Sequence, residues 1–384
     1  MAGDGIYIVA IAWQVYTLSN VPSALALVGI AQTVPLVAFV LVGGALADRL
    51  DRRRVMIVGS ALPALAIGAL GGLALSGALA LWEVWIISAA VGLGRALFGP
   101  ASSAFVPDVV PAHRLVEANS LSQAMRPLAT TLIGPALGGV LVAAAGTGTC
   151  FVVDAASYGA VVAALLVIPA RPPVQEQASR LLTDIKEGFD FIRRHVWIWG
   201  TLGMATVWVL LLMGPVNVLV PYVVKNHLGG GSRVLGLVYA CGGIGGVGAA
   251  VATGQLGLPR RPVTRMLLGW SLACAAVAGV ALATRAWQAA LAMLAFEALL
   301  TFSEIIWMTL LQRFVPGRLL GRVRSLDWLL SVGLVPISYA ATGPIAGVLG
   351  ARATLAGSSL IAAAIAVATL ALPGMRRSDA LLGS

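Results

Sequence analysis

Eleven apolar runs of about 20 residues each limit what this chain can fold into, because at a rise of about 1.5 Å per residue such a run crosses about 30 Å of hydrocarbon as one helix. They lie at 24–47, 55–77, 85–106, 120–145, 150–168, 197–220, 234–256, 263–283, 287–311, 326–350 and 355–372. With no water in the bilayer core, each run has to satisfy its own backbone N–H and C=O groups, which a helix does. A twelfth stretch, 5–18, is apolar but about 14 residues long, or about 21 Å, and reads as the outer part of a first helix that is N-terminally truncated. No Lys or Arg precedes it, so it lacks the basic flank of a cleavable signal peptide. The fold class is all-α integral membrane.

Composition agrees and removes several functions. The 384 residues are 59% apolar and 10% charged, against about 25% charged in soluble domains. The net charge of +10 sits between the apolar runs and builds no nucleic-acid groove. Cys150, Cys241 and Cys274 lack metal-ligand spacing and cannot form a disulfide framework. His113, His195 and His227 all fall in connections. Lys186 and Lys225 are the two lysines, and neither precedes Ser or Thr, so no P-loop can form. No metal, no cofactor and no enzymatic activity are expected.

Charge also orients the chain. Counting Lys and Arg in alternate connections gives nineteen on one side, including Arg49 to Arg54, Arg193, Arg194, Arg322 and Arg324, against Lys225, Arg233, Arg285 and Arg352 on the other. The richer side and the C-terminus are therefore cytoplasmic. Trp82, Trp85, Trp197, Trp199, Trp287 and Trp328 cluster at span ends, where amphipathic rings anchor at the headgroups. The long connection before His195 divides the spans six and six. It predicts an N-terminal bundle over 1–168, a cytoplasmic linker over 169–196, a C-terminal bundle over 197–372 and a tail over 373–384. In the linker, Leu181, Ile185, Phe189 and Ile192 form one stripe, the pattern of an amphipathic helix along the membrane. The halves echo each other: Val110-Pro111 and Ser120-Leu121 recur 205 positions later as Val315-Pro316 and Ser325-Leu326, and Gly134-Pro135 recurs 209 later as Gly343-Pro344. Parallel repeats of this kind describe two related bundles.

The stretch Gly44-Ala45-Leu46-Ala47-Asp48-Arg49-Leu50-Asp51-Arg52-Arg53-Arg54 resembles the cytoplasmic signature of the major facilitator superfamily, with Asp51 where that family has glycine. Gly44 is expected to admit a neighbouring helix, and Asp48 with Arg49, Arg52 and Arg53 to latch one conformation against a helix N-terminus of the other half. Gly134-Pro135-Ala136-Leu137-Gly138-Gly139 resembles the antiporter motif of the same superfamily, a bend beside a small-residue seam that the glycines of the eighth span can match. Arg95 with Gly99 resembles its arginine motif, with Phe98 where glutamine is common. Gly3-Asp4-Gly5, Asp154-Ala155-Ala156-Ser157-Tyr158, Leu219-Val220-Pro221 and Ser325-Leu326-Asp327-Trp328 look like the secretion-effector branch, which includes siderophore exporters and macrolide or multidrug efflux proteins. The resemblance covers essentially the whole chain. It implies a twelve-helix transporter of two six-helix bundles, working by alternating access.

Six ionisable residues in or beside the apolar runs need a reason: Asp4, Arg95, Arg126, Asp154, Glu297 and Glu304. Each costs about 2.5–3.5 kcal/mol at a helix centre unless it has a partner, water or a function. Asp154, about 6 Å into its run, is expected to snorkel or cap near the outer surface. Arg126 reaches the interface or satisfies a carbonyl freed by Pro127, or serves function. Arg95 is permanently charged and needs an acid. Asp4 is the candidate, because the resemblance implies that the first and fourth helices pack around the central cavity, as a protonation-controlled switch or as a fixed ion pair. Glu297 and Glu304, seven residues apart, share a helix face at about 10 Å and either couple protons, contact substrate or bond to neighbouring helices as neutral acids. Trp307 adds an aromatic face for a cation, and Trp208 and Asn217 are possible cavity lining.

The reading is proton-coupled efflux of hydrophobic or cationic small molecules by a monomer in the bacterial cytoplasmic membrane. Arginine outnumbering lysine 23 to 2, with abundant Ala and Gly, points to a GC-rich bacterial genome. The expected partners are a small-molecule substrate, protons and the lipid bilayer. Two alternatives stay open: export of an endogenous siderophore or secondary metabolite, and a membrane interaction protein that keeps the fold without transport.

Overall fold

The computed structural model describes residues 2–111, 114, 125, 128–168, 181–376 and 379, and every apolar run among them is helical, with no strand. Spans 1 to 4 are Ala2–Leu18, Pro22–Arg49, Arg52–Ser76 and Leu81–Val109. Spans 5 and 6 occupy Leu128–Val167, a stretch of 40 residues. That is about 60 Å, twice the hydrocarbon thickness. Gly146, at φ 79° and ψ 170°, breaks it into two crossings. Gly350, at φ 85° and ψ 152°, makes the same reversal between spans 11 and 12. Both are conformations that a side chain disfavours.

Span 7 runs through Val196–Trp208 and Gly214–Asn226. Spans 8, 9 and 10 are Ser232–Leu256, Pro262–Leu282 and Ala286–Phe314. Span 11 begins at Gly317, nine residues before its apolar run, and is divided at Leu334 into Gly317–Gly333 and Val335–Leu349. Span 12 is Ala351–Thr369. Two wide π turns, Leu128–Ile133 and Val209–Met213, stand immediately before Gly134-Pro135 and Gly214-Pro215. A wider turn absorbs the ring and the missing amide of a proline that would otherwise break the ladder.

The chain forms two compact units, one of Met1–Gln177 with Gly229–Ala240 and the other of Ala178–Leu228 with Cys241–Ser384. In the first, span 2 packs on span 4, span 3 on spans 4 and 6, and span 1 on span 5. The second repeats this plan: span 8 packs on span 10 through Gly242, Gly245 and Gly246, span 9 on spans 10 and 12, and span 7 on span 11. Register is kept as well, since Gly5 against span 5 and Gly214 against Ser338 and Thr342 of span 11 stand 209 positions apart. The second core gathers Trp197, Met266, Trp270, Ile306, Trp307 and Leu310. Trp197 is thus a core residue at 5% exposure, with its ring 5.9 Å from that of Trp307, and not an interfacial anchor.

The linker is helical over Leu181–Arg194 and belongs to the second unit. Residues 169–180 and the side chains of Leu181 and Ile185 lie outside the described residues. Of the apolar stripe, Ile192 packs into the core together with Phe191, whereas Phe189 is 51% exposed; Gly188 meets Arg322 and Leu326. Glu187 pairs with Arg322 beside this contact. The residue without a side chain lets span 11 approach the helix closely. The tail also folds back. Asp379 accepts from Val263 N at 2.7 Å and Thr264 N at 3.2 Å, capping the orphan amides that open span 9.

Within the first unit Gly139 and Gly236 cross directly, so a β-carbon at 236 would stand 2.8 Å from Gly139 Cα and 2.8 Å from Pro135 O. Backbone cannot yield as a flexible side chain can. Gly236→Ala is expected to cost about 1–3 kcal/mol of stability, read as a lower thermal midpoint in detergent. Gly248→Ala, which meets nothing within 4 Å, should hold or raise the midpoint through helix propensity.

Candidate functional site

Three helices of the first unit bring their buried charges together. Arg95 Nη2 of span 4 donates to Asp4 Oδ1 of span 1 at 2.8 Å, and the Tyr158 hydroxyl of span 6 donates to the same oxygen at 2.8 Å. Protein leaves 36% of the Arg95 side chain and 24% of the Asp4 side chain uncovered. Asp154, one turn before Tyr158, is 1% exposed and accepts from Ser157 Oγ at 3.3 Å through Oδ1. Its Oδ2 is buried with no hydrogen-bond partner. Asp154 therefore neither snorkels nor caps at the surface. Depth along its own run is not the relevant measure, because span 1 covers it.

Local sequence explains the convergence. Gly3 and Gly5 flank Asp4 about 200° apart on the helix. A β-carbon on Gly3 would touch Asp154 Oδ1 and stand 2.5 Å from Ser157 Oγ, and one on Gly5 would stand 2.7 Å from Gly134 Cα. The two glycines seat span 1 against spans 6 and 5, which leaves Asp4 to meet span 4. Gly134 and Gly138 complete this seam against Gly5 and Ile6, while Gly139 faces Gly236. Pro135 follows the π turn that relieves its missing donor. Tyr7, packed on Phe151 at 5.9 Å, places its hydroxyl beside Ser88.

A second carboxylate group lies in the other unit. Glu297 is partly buried where Gly242 of span 8 leaves room for its Cγ, and Glu304 is exposed. Glu304 is within electrostatic reach of Asp327 on span 11. From sequence Asp327 carried only the resemblance of Ser325-Leu326-Asp327-Trp328 and no site role, because Arg318, Arg322 and Arg324 make the opening of its helix read as a connection. Trp307 offers no face to a cation. It is 5% exposed in the core and donates Nε1 to Asp327 Oδ2 at 3.3 Å. Trp208 is partly buried against the same core. Asn217 is exposed on span 7 and donates to Met213 O at 2.8 Å.

At the cytoplasmic signature the glycine roles differ from expectation. A β-carbon on Gly44 meets nothing within 4 Å. The close approach is at Gly43, against the Ala96 carbonyl of span 4, because one residue rotates a helix face by about 100°. Asp51 supplies what glycine would not: its Oδ1 accepts from Arg53 N at 3.0 Å, capping span 3, and neither Leu50 nor Asp51 needs positive φ. Arg53 donates to Leu165 O at 2.6 Å and Leu166 O at 2.8 Å, closing the C-terminal end of span 6. Arg49 is exposed and Arg52 partly buried. The Asp48 side chain and Arg126 lie outside the described residues.

Comparison with known proteins bears on what such an arrangement serves. The sequence profile described as transmembrane secretion effector matches residues 2–382. The multidrug efflux pump Tap of Mycobacterium tuberculosis is 26% identical over 391 residues, covering 98% of this chain and 92% of its own. The enterobactin exporter EntS of Citrobacter koseri is 30% identical over 291 residues, covering 74% and 68%. Among solved structures, a mutant of the nucleoside transporter NupG superposes with a TM-score of 0.71 at 11% identity over 96% of each chain. A bacterial homologue of ferroportin in its inward-facing state gives 0.66 at 18% identity, over 96% of this chain and 95% of that one. At such identities the superpositions establish a shared fold.

Proposed function

The chain belongs to the transmembrane secretion effector family of major facilitator transporters, multi-pass proteins of the bacterial cytoplasmic membrane, and from that premise we propose that it exports hydrophobic, cationic small molecules in exchange for protons. The observation that carries the coupling is the single-oxygen grip of Arg95 on Asp4. Arg95 cannot discharge, so a proton arriving on Asp4 removes its counter-charge and forces the guanidinium to find another. Span 1 is held to span 4 by that pair and to spans 5 and 6 by glycine contacts, so loss of the pair bears directly on how the helices pack. Glu297 and Glu304 are the acids of the second bundle that attract the cation or carry a further proton. Asp48 and its neighbouring arginines set the resting conformation. The full-length similarity to a multidrug efflux pump supports the substrate class.

The test is accumulation of ethidium in efflux-deficient bacteria expressing the chain, with and without a protonophore. Lower accumulation that the protonophore abolishes is the expected result; protonophore-resistant efflux would remove the proton from the scheme. Glu304→Gln is expected to abolish exchange driven by a pH gradient in proteoliposomes while counterflow at equal pH continues. A variant with unaltered pH dependence would take Glu304 out of coupling.

The 30% identity to an enterobactin exporter favours a second reading, export of an endogenous siderophore or secondary metabolite. Mass spectrometry of culture medium from parent and deletion strains separates the two. Loss of one compound from the medium, with dye accumulation unchanged, would establish the second.

A further inference from the structure

Asp154 has no part in the coupling just described, yet it is an acid at 1% exposure. Asp4 and Arg95 of span 1 and span 4 are within its electrostatic reach, Tyr7 of span 1 faces it, and Tyr158 lies one turn away on its own helix. Cys150, one turn earlier, directs its thiol to Gly138 O at 4.0 Å. Spans 3 and 5, which also border span 6, carry no titratable side chain within 55–77 or 128–145. Among the described residues the local inventory is therefore two carboxylates, one guanidinium and two phenols, and the chain's N-terminal amine also acts on both carboxylates.

An ionised carboxylate with one accepted hydrogen bond and a buried oxygen that accepts nothing is costly in a low-dielectric interior, and a bound proton removes that cost. The hydrogen bonds say where the proton sits. Asp4 accepts from Arg95 and Tyr158, as an ionised carboxylate does, whereas Asp154 has one bond from Ser157 and an oxygen that accepts nothing. Resting on the proton-coupled reading above, we infer that Asp154 is the second proton site of the first bundle and that Arg95 alternates between Asp4 and Asp154 as one proton passes between them. The balance is simple. A proton from the outer aqueous phase binds Asp4, whose pairing with Arg95 ends. Arg95 then turns to Asp154, whose proton leaves towards the cytoplasm, and the reverse swap restores the resting pair with no other reactant. The arrangement also assigns Tyr158 a positioning role, since its hydroxyl holds Asp4 from the same helix that carries Asp154.

Purified full-length protein in liposomes, with ethidium as the probe, tests this through two readouts. Asp154→Asn is expected to retain ethidium counterflow at equal pH within about threefold and to lose accumulation driven by a pH gradient. Ser157→Ala, a smaller change that removes the one hydrogen bond to Asp154, is expected to displace the pH midpoint of exchange while leaving counterflow intact; it decides the matter where the asparagine variant does not fold. A wild type driven by the gradient whose variants are driven equally, with the same midpoint, overturns the role of Asp154 alone. A wild type that exchanges ethidium but ignores the gradient overturns the proton-coupled reading and this inference with it.

Discussion

Arg95→Leu should cost about 3 kcal/mol of stability and all transport, because it leaves the Asp4 carboxylate without the guanidinium that pairs with it. The single change removes the 2.8 Å ion pair between span 1 and span 4. Asp4→Asn combined with Arg95→Leu should recover most of that stability, since neutral groups replace both sides of the pair and leave one carboxylic acid to be satisfied by a proton. Thermal unfolding of the four proteins of this cycle in detergent gives the coupling directly. Strictly additive losses would show that the pair does not act as a unit.

Asp4→Asn alone has a different expected outcome, in which the fold survives and the coupling does not. The amide keeps the shape of the carboxylate and still accepts from Tyr158, and Arg95 retains Asp154 as an available counter-charge. Accumulation of ethidium driven by a pH gradient in proteoliposomes should fall to the leak of empty liposomes, while counterflow at equal pH stays within about threefold. Gradient-driven accumulation at the wild-type level would place the proton elsewhere. A collapse of folded yield equal to that of Arg95→Leu would show the pair to be a fixed structural tie. The contrast between the two variants matters because a tie and a switch use the same 2.8 Å contact.

How much of this was legible beforehand depended on whether a residue's role is set along the chain or across it. Asp4 and Arg95 could be matched from sequence because each is a lone charge in or beside an apolar run, neither tolerates isolation, and the family resemblance puts the first and fourth helices together. Asp154 was misplaced, since counting residues from the end of its run treats the helix as alone in lipid, whereas another helix packs so close that a β-carbon on its Gly3 would touch Asp154. The spacing of Asp154, Ser157 and Tyr158 at i, i+3 and i+4 was the available signal that all three face one neighbour. Trp307, one turn after Glu304, invited an aromatic cation site, but the roughly 60° between i and i+3 leaves Glu304 exposed while the indole lies in the core. Gly44 and Gly43 differ by about 100°.

The sequence by itself determined the element type and the family, and it alone is the ground for the expected number of crossings, division into halves and cytoplasmic side. Each follows from quantities summed along the chain: apolar length against bilayer thickness, Arg and Lys counts in alternate connections, and motifs read in order. Tertiary structure decided helix phase and partner: that Gly43, not Gly44, meets span 4, that Arg53 closes span 6, that Asp379 caps span 9, and that Asp154 is sealed under span 1. Hydrophobic periodicity sets phase in water by separating a wet face from a dry one, and in a bilayer lipid and protein interior are equally apolar. Phase is then left to close packing at glycines and to the search of each buried charge for a partner, which only the folded chain resolves.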